Sequence, residues 1–132
     1  MKNMKTVKTI ILAGLLAVGL GCGYSKHATT PMVAGSTPTI TQLTPTSTTH
    51  GAVMQPLTVS GTNFNSNATI NWNGTALPTA HSAADLTTTI PDSDTASPGT
   101  AAVTVTNPGT PGGIYGGGTS AETSNSMTFT IN

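Results

Sequence analysis

From Thr39 to the C-terminus the chain is a succession of short runs in which apolar residues alternate with threonine or serine, broken by turn residues about every ten positions. Alternation with period two puts every second side chain on one face, so such runs suit strands buried on one side and wet on the other. The strong helix formers Leu, Glu and Lys are scarce beyond the N-terminal leader, whereas Thr, Val and Ile recur throughout. Turn signals at this spacing predict an all-β body in the form of a β-sandwich rather than a βαβ layout.

Seven runs qualify as strands. They are Thr39 to Leu43, Pro56 to Gly61, Ala68 to Asn73, Thr75 to Pro78, Leu86 to Ile90, Ala101 to Thr106 and Met127 to Ile131. Asn73-Gly74 is the sharpest local signal, because a two-residue hairpin turn needs positive φ at both central positions. It sets Trp72 opposite Thr75 and Ile70 opposite Leu77, with Ile70, Trp72 and Leu77 on one face and Asn71 and Ala76 on the other. By the same parity Ile40, the pairs Leu57/Val59 and Val103/Val105, and the set Met127/Phe129/Ile131 are candidate core residues, with Phe64 turning inward after Gly61. Asn107 to Ser126, rich in Gly and Ser, is too long for a tight hairpin and reads as a mobile loop.

The N-terminal segment is of another kind. Lys2, Lys5 and Lys8 precede an apolar run from Thr9 to Leu20, too short for a membrane-spanning helix and of the length of a secretory signal. The run ends in Val18-Gly19-Leu20-Gly21-Cys22, and Cys22 is the sole cysteine. Signal peptidase II cleaves before a cysteine carrying a diacylglycerol thioether, usually after Leu, a small residue and then Gly or Ala. Gly21 fits, whereas Leu20 stands one place closer to the cysteine than usual. The expected organisation is a lipoprotein signal peptide over 1–21, lipid attachment at Cys22, a flexible tether over 22–37 and one domain over 38–132. A diacylated and N-acylated cysteine would hold the chain firmly on a membrane. A free cysteine in a leader cut elsewhere, or an uncut leader, are the other readings. One cysteine allows no intramolecular disulfide, so the domain must be held by packing and hydrogen bonds.

Without the leader roughly 110 residues remain, enough for one small domain. Lys26 is then the only cation against Asp85, Asp92, Asp94 and Glu122, and there is no arginine. Nucleic acid and anionic membrane surfaces both call for clustered Lys or Arg, so neither is an expected partner.

Several elements in order resemble the IPT/TIG domain, an early-set immunoglobulin-like β-sandwich found in bacterial surface proteins, plexin-like receptors and Rel-type transcription factors. These are Pro38-Thr39-Ile40, Leu43-Thr44-Pro45, Gly51, the block Leu57-Thr58-Val59-Ser60-Gly61-Thr62-Asn63-Phe64 and Ile70-Asn71-Trp72-Asn73-Gly74. They continue with Leu86-Thr87-Thr88-Thr89-Ile90-Pro91, Gly99, Val103-Thr104-Val105-Thr106-Asn107-Pro108 and Phe129-Thr130-Ile131. The Leu57–Phe64 and Val103–Pro108 blocks carry the resemblance together. The Gly-rich insert Gly109 to Ser124 is longer than similar domains use there. The resemblance implies an immunoglobulin-like sandwich of about seven antiparallel strands and a non-enzymatic role, with no catalytic residues and no cofactor.

Chemistry elsewhere is sparse. His81 and Asp85 with a Ser or Thr hydroxyl could form a triad, but there is no Gly-x-Ser-x-Gly elbow, and solvated loop positions account for His27, His50 and His81 more simply. Asp92 and Asp94 could offer oxygen ligands to calcium, although an Asp-rich turn is already explained by side-chain to backbone hydrogen bonds. Gly116-Gly117-Gly118 lacks the Lys-Ser/Thr of a phosphate loop. Tyr115 reads either as an exposed sugar-stacking or protein-contact residue or, no less readily, as an aromatic folded back on the sandwich. The sequence therefore predicts a lipid-anchored envelope protein, exported and facing periplasm or cell surface, that acts as a binding or structural module for an unidentified protein or glycan. A carbohydrate-contacting accessory module and a small envelope hydrolase are the alternatives.

Overall fold

The computed structural model describes residues 32–114 and 116–132. The fold is all-β: ten strand segments and one 3-10 turn, Asp92–Asp94, with no α-helix among the described residues. The strands are β1 (Thr39–Thr44), β2 (Ser47–Thr48), β3 (Gln55–Thr62), β4 (Thr69–Trp72) and β5 (Thr75–Ala76), then β6 (Ala80–Ser82), β7 (Asp85–Ile90), β8 (Gly99–Asn107), β9 (Glu122–Thr123) and β10 (Met127–Ile131).

Two sheets share one core. The first has the order β1-β3-β7-β6, the second β2-β10-β8-β4-β5, with β9 also paired to β8. Among these strands pairing is antiparallel except where β10 meets β2, which run parallel. That exception to the expected all-antiparallel pattern follows from the chain's path. After Pro45 the chain leaves β3 for the other sheet, and the short β2 lies beside β10 with Ser47 opposite Thr130.

The alternation of the sequence is the packing pattern, except in β1, where a register shift between Ile40 and Gln42 brings Leu43, three residues on, to the same face as Ile40. Leu57 and Val59 of β3, Leu86 and Ile90 of β7, and Ile40 and Leu43 of β1 face Ile70 and Trp72 of β4, Val103 and Val105 of β8, and Phe129 and Ile131 of β10. Phe64 and Met127 are half-buried against this cluster. Trp72 and Phe129 meet at the centre, ring centroids 5.2 Å apart and planes tilted by 58°, a geometry favoured by the ring quadrupoles.

The hairpin at Asn73-Gly74 has the expected register, with Trp72 opposite Thr75 and Asn71 opposite Ala76. Asn73 (φ 49°) and Gly74 (φ 85°) both take positive φ, as a type I′ turn requires. Asn73 also prolongs the β4–β8 ladder: its amide donates to Ala102 O (2.9 Å) and its Oδ1 accepts from the Ala102 amide (2.8 Å).

One end of β1 is closed by a side chain. Asn125, in the break between β9 and β10, accepts the Ile40 amide through Oδ1 (2.9 Å) and donates Nδ2 to Ile40 O (3.1 Å). Its carboxamide stands in for a strand partner and joins the two sheets at a residue whose side chain is buried. Asn125→Ala removes both bonds and should cost about 1–2 kcal/mol, less than two fully orphaned groups because water can reach this edge. In hydrogen exchange the Ile40 amide should lose protection selectively; unchanged protection there would contradict the contact.

Candidate functional site

The end of the molecule where β8 finishes is the most elaborately built. Alternation along β8 buries Ala101, Val103 and Val105, and the same parity carries Asn107 inward to 1% exposure. A buried amide must be paired. Asn107 Oδ1 accepts from the Asn65 amide (3.0 Å), and Nδ2 donates to Ser36 O and Asn63 O, both at 2.7 Å. Asn63, at φ 61°, donates its own Nδ2 to Thr37 O (3.2 Å). One side chain thus ties the segment before β1, the turn after β3 and the end of β8.

From this knot the Gly-rich insert projects as a ribbon instead of the expected loop. Thr110 and Thr119 form an antiparallel bridge, their hydroxyls 3.0 Å apart, and Gly113 and Gly116 form another, closed by the Gly116 amide donating to Gly113 O (2.9 Å). Val33 lies along the other side in parallel: its amide donates to Gly118 O (2.9 Å) and its carbonyl accepts from Ser120 (3.1 Å). Glycine here serves close approach, since a Cβ at Gly118 would run into Thr110 O and the Gly112 amide. The run that reads in sequence as a mobile loop is what lets backbone segments stack. Residues 32–37, read from sequence as the end of the tether, are tied to this ribbon and to the Asn107 knot.

Ile114 at the ribbon tip is 85% exposed, and Met32 and Val33 beside the ribbon are 59% and 65% exposed. Their positions follow from the three bridges, and no local pattern marks them as a group. At the other end Val53 and Met54, in the connection from β2 to β3, are also exposed. Thr95, fully buried there, donates Oγ1 to Ala52 O (2.7 Å).

The remaining candidates separate. His81 lies on β6 opposite Leu86, while Asp85 lies on β7 opposite Ser82. Successive residues face opposite sides of a sheet, so His81 and Asp85 point to different faces and do not form a His–Asp pair. His50 Nδ1 lies 2.8 Å from Asn132 O. Asp92 Oδ1 accepts from the Met54 amide (2.7 Å), and the Asp94 amide donates to Pro91 O (2.9 Å), so this turn organises its own backbone. Among the described residues no three His, Cys, Asp or Glu side chains converge as metal ligands would. Cys22, His27 and Tyr115 lie outside the described residues. No helix among the described residues is long and apolar enough to cross a membrane.

A shallow recess of about 500 Å³ opens where β6 begins, lined by Pro56, Pro78, Thr79, Ala80, Thr87, Thr88 and Thr89. Thr88, buried by parity with Leu86 and Ile90, gives its hydroxyl to Pro78 O (2.7 Å). The buried hydroxyl in the wall of the recess is therefore satisfied within the chain. Comparison of the chain with family models, with characterised proteins and with solved structures returns no match.

Proposed function

We propose that the chain is an exported, lipid-anchored envelope protein whose body is an immunoglobulin-like domain of the IPT/TIG type, acting as a non-enzymatic binding or structural module. Strand order carries this reading. The sheets β1-β3-β7-β6 and β2-β10-β8-β4-β5 have the sequence of strands of an immunoglobulin sandwich, four in an ABED sheet and the rest in a GFC-containing sheet. The split of the first strand into β1 and β2 across the two sheets fits the same pattern. Fold does not choose a ligand; the chemistry at the two ends of the sheets favours contact over catalysis, since hydroxyls, amides and exposed apolar side chains dominate both.

Lipid attachment is read from the leader and Cys22. The wild-type chain from a membrane fraction should partition into detergent and carry the added mass of a diacylglycerol thioether on a peptide that begins at Cys22. Cys22→Ser should move it to the aqueous phase; identical partitioning of the two would sink the anchor. For the contact role, chemical crosslinking on living cells should give a discrete species larger than the chain, and recovery of the monomer alone would count against a binding module.

A further inference from the structure

The strongest unexplained feature is the exposed apolar tip of the ribbon together with the side from which the chain arrives. Val33 pairs in parallel with Thr119, so going back from Val33 to Met32 the chain runs beside the strand that leads from Thr119 towards Ile114. The exposed Ile114, Met32 and Val33 therefore lie towards the same end of the molecule, where the described chain begins at residue 32. Val53 and Met54 occupy the opposite end, since β3 leads from Gln55 away to Thr62 and the Asn63–Asn107 knot, about 25 Å along the strand.

We propose that this ribbon is a second membrane contact: its tip, through Ile114 with Met32 and Val33 beside it, rests on the lipid surface that holds Cys22 and sets the orientation of the domain. The inference rests on the lipid-anchor reading. Cys22 stands ten residues before Met32, a stretch that spans at most about 35 Å fully extended. The ribbon end is thus kept within reach of the bilayer, while the Val53 end lies a strand length farther off. Tethering raises the effective concentration of tip and lipid, so a contact too weak to recruit a free protein suffices to orient a tethered one. Residues 95–121 hold no Asp, Glu, Lys or Arg, so no charge has to be stripped of water as the tip enters the interface. With no Lys or Arg from residue 32 onward, the contact is with uncharged interface rather than with anionic headgroups.

The test uses the full chain inserted into phosphatidylcholine vesicles. Ile114→Cys and Val53→Cys are each labelled with an environment-sensitive nitrobenzoxadiazole fluorophore, and quenching by a nitroxide phospholipid is compared. In the anchored protein the Cys22 sulfur is in a thioether, so only the introduced thiol reacts. The label at position 114 should be quenched several-fold more strongly than that at position 53, with blue-shifted emission. A chain that floats with the vesicles yet shows equal quenching at both positions, or none at 114, keeps its anchor and overturns the contact. A wild-type chain that fails to float and reacts with the thiol reagent at Cys22 overturns the anchor reading, and the tip contact with it.

Discussion

Phe129→Ala is expected to lower stability by about 4 kcal/mol, within the range of about 3–5 kcal/mol measured for emptying a large aromatic site in a core. The side chain is fully buried at the middle of β10, against Trp72. Its loss removes the transfer energy of the ring, leaves a cavity between two sheets held in register by hydrogen bonds, and abolishes a tilted aromatic pair that alone contributes about 0.5–1.5 kcal/mol. No disulfide within the chain can compensate, because Cys22 is the only cysteine. For a domain near 100 residues such a loss lowers Tm by roughly 20 °C. Trp72 is the only tryptophan, so its emission during urea unfolding reports this core directly. The midpoint should fall with little change in slope; a loss under about 1 kcal/mol would mean that Phe129 does not fill the centre.

Asn107→Ala should cost about 3 kcal/mol, for another reason. It leaves the Asn65 amide and the carbonyls of Ser36 and Asn63 without their partner, each worth about 1–3 kcal/mol when buried and less where water enters. Asn107→Asp is the more informative variant, since it keeps the shape and replaces the donating NH2 with an oxygen facing two carbonyls. Burial and that repulsion would raise the introduced carboxyl's pKa above its unfolded value near 4. A group raised in the folded state favours folding below its unfolded pKa and loses that contribution as pH rises through the folded one. Asn107→Asp should therefore be less stable than Asn107→Ala at pH 7 and regain ground towards pH 4. Urea midpoints at the two pH values measure this, and equal pH profiles for the two variants would contradict the hydrogen-bonding scheme.

These two residues show how legibility divides. Phe129 was marked by the Met127/Phe129/Ile131 alternation, because a strand's parity is local. Asn107 obeys the same parity as Val103 and Val105 and could have been read as inward-facing, but a polar residue beside Pro108 and a Gly-rich run looks like the start of a loop. The short strands β2, β6 and β9 carry too few residues for a periodic signal and exist because a longer neighbour offers hydrogen bonds. His81 and Asp85, adjacent enough in sequence to suggest a pair, were separated by the β6–β7 register.

The ribbon is the clearest divergence. Its glycines mark flexibility in a linear reading, whereas in the fold Gly118 permits the close stacking of backbones between Thr110 and Thr119. Nothing local distinguishes the two uses, since the difference lies in what stands across from each glycine. The exposure of Ile114 follows from that stacking.

Alternation and turn stereochemistry act over a few residues, and they are enough to make the body all-β, to mark the apolar face of β3, β4, β8 and β10, and to set the register of the Asn73-Gly74 hairpin, whereas in β1 the shift between Ile40 and Gln42 breaks the alternation. Which strands are neighbours, that β2 runs parallel to β10, that Asn125 closes the edge at Ile40, that Asn107 locks one end and that Ile114 stands out at its tip all follow from long-range contacts. Those depend on hydrogen-bonding groups that must find partners far along the chain, Asn125 and Ile40 being 85 residues apart, and no local pattern encodes which partner a distant backbone supplies.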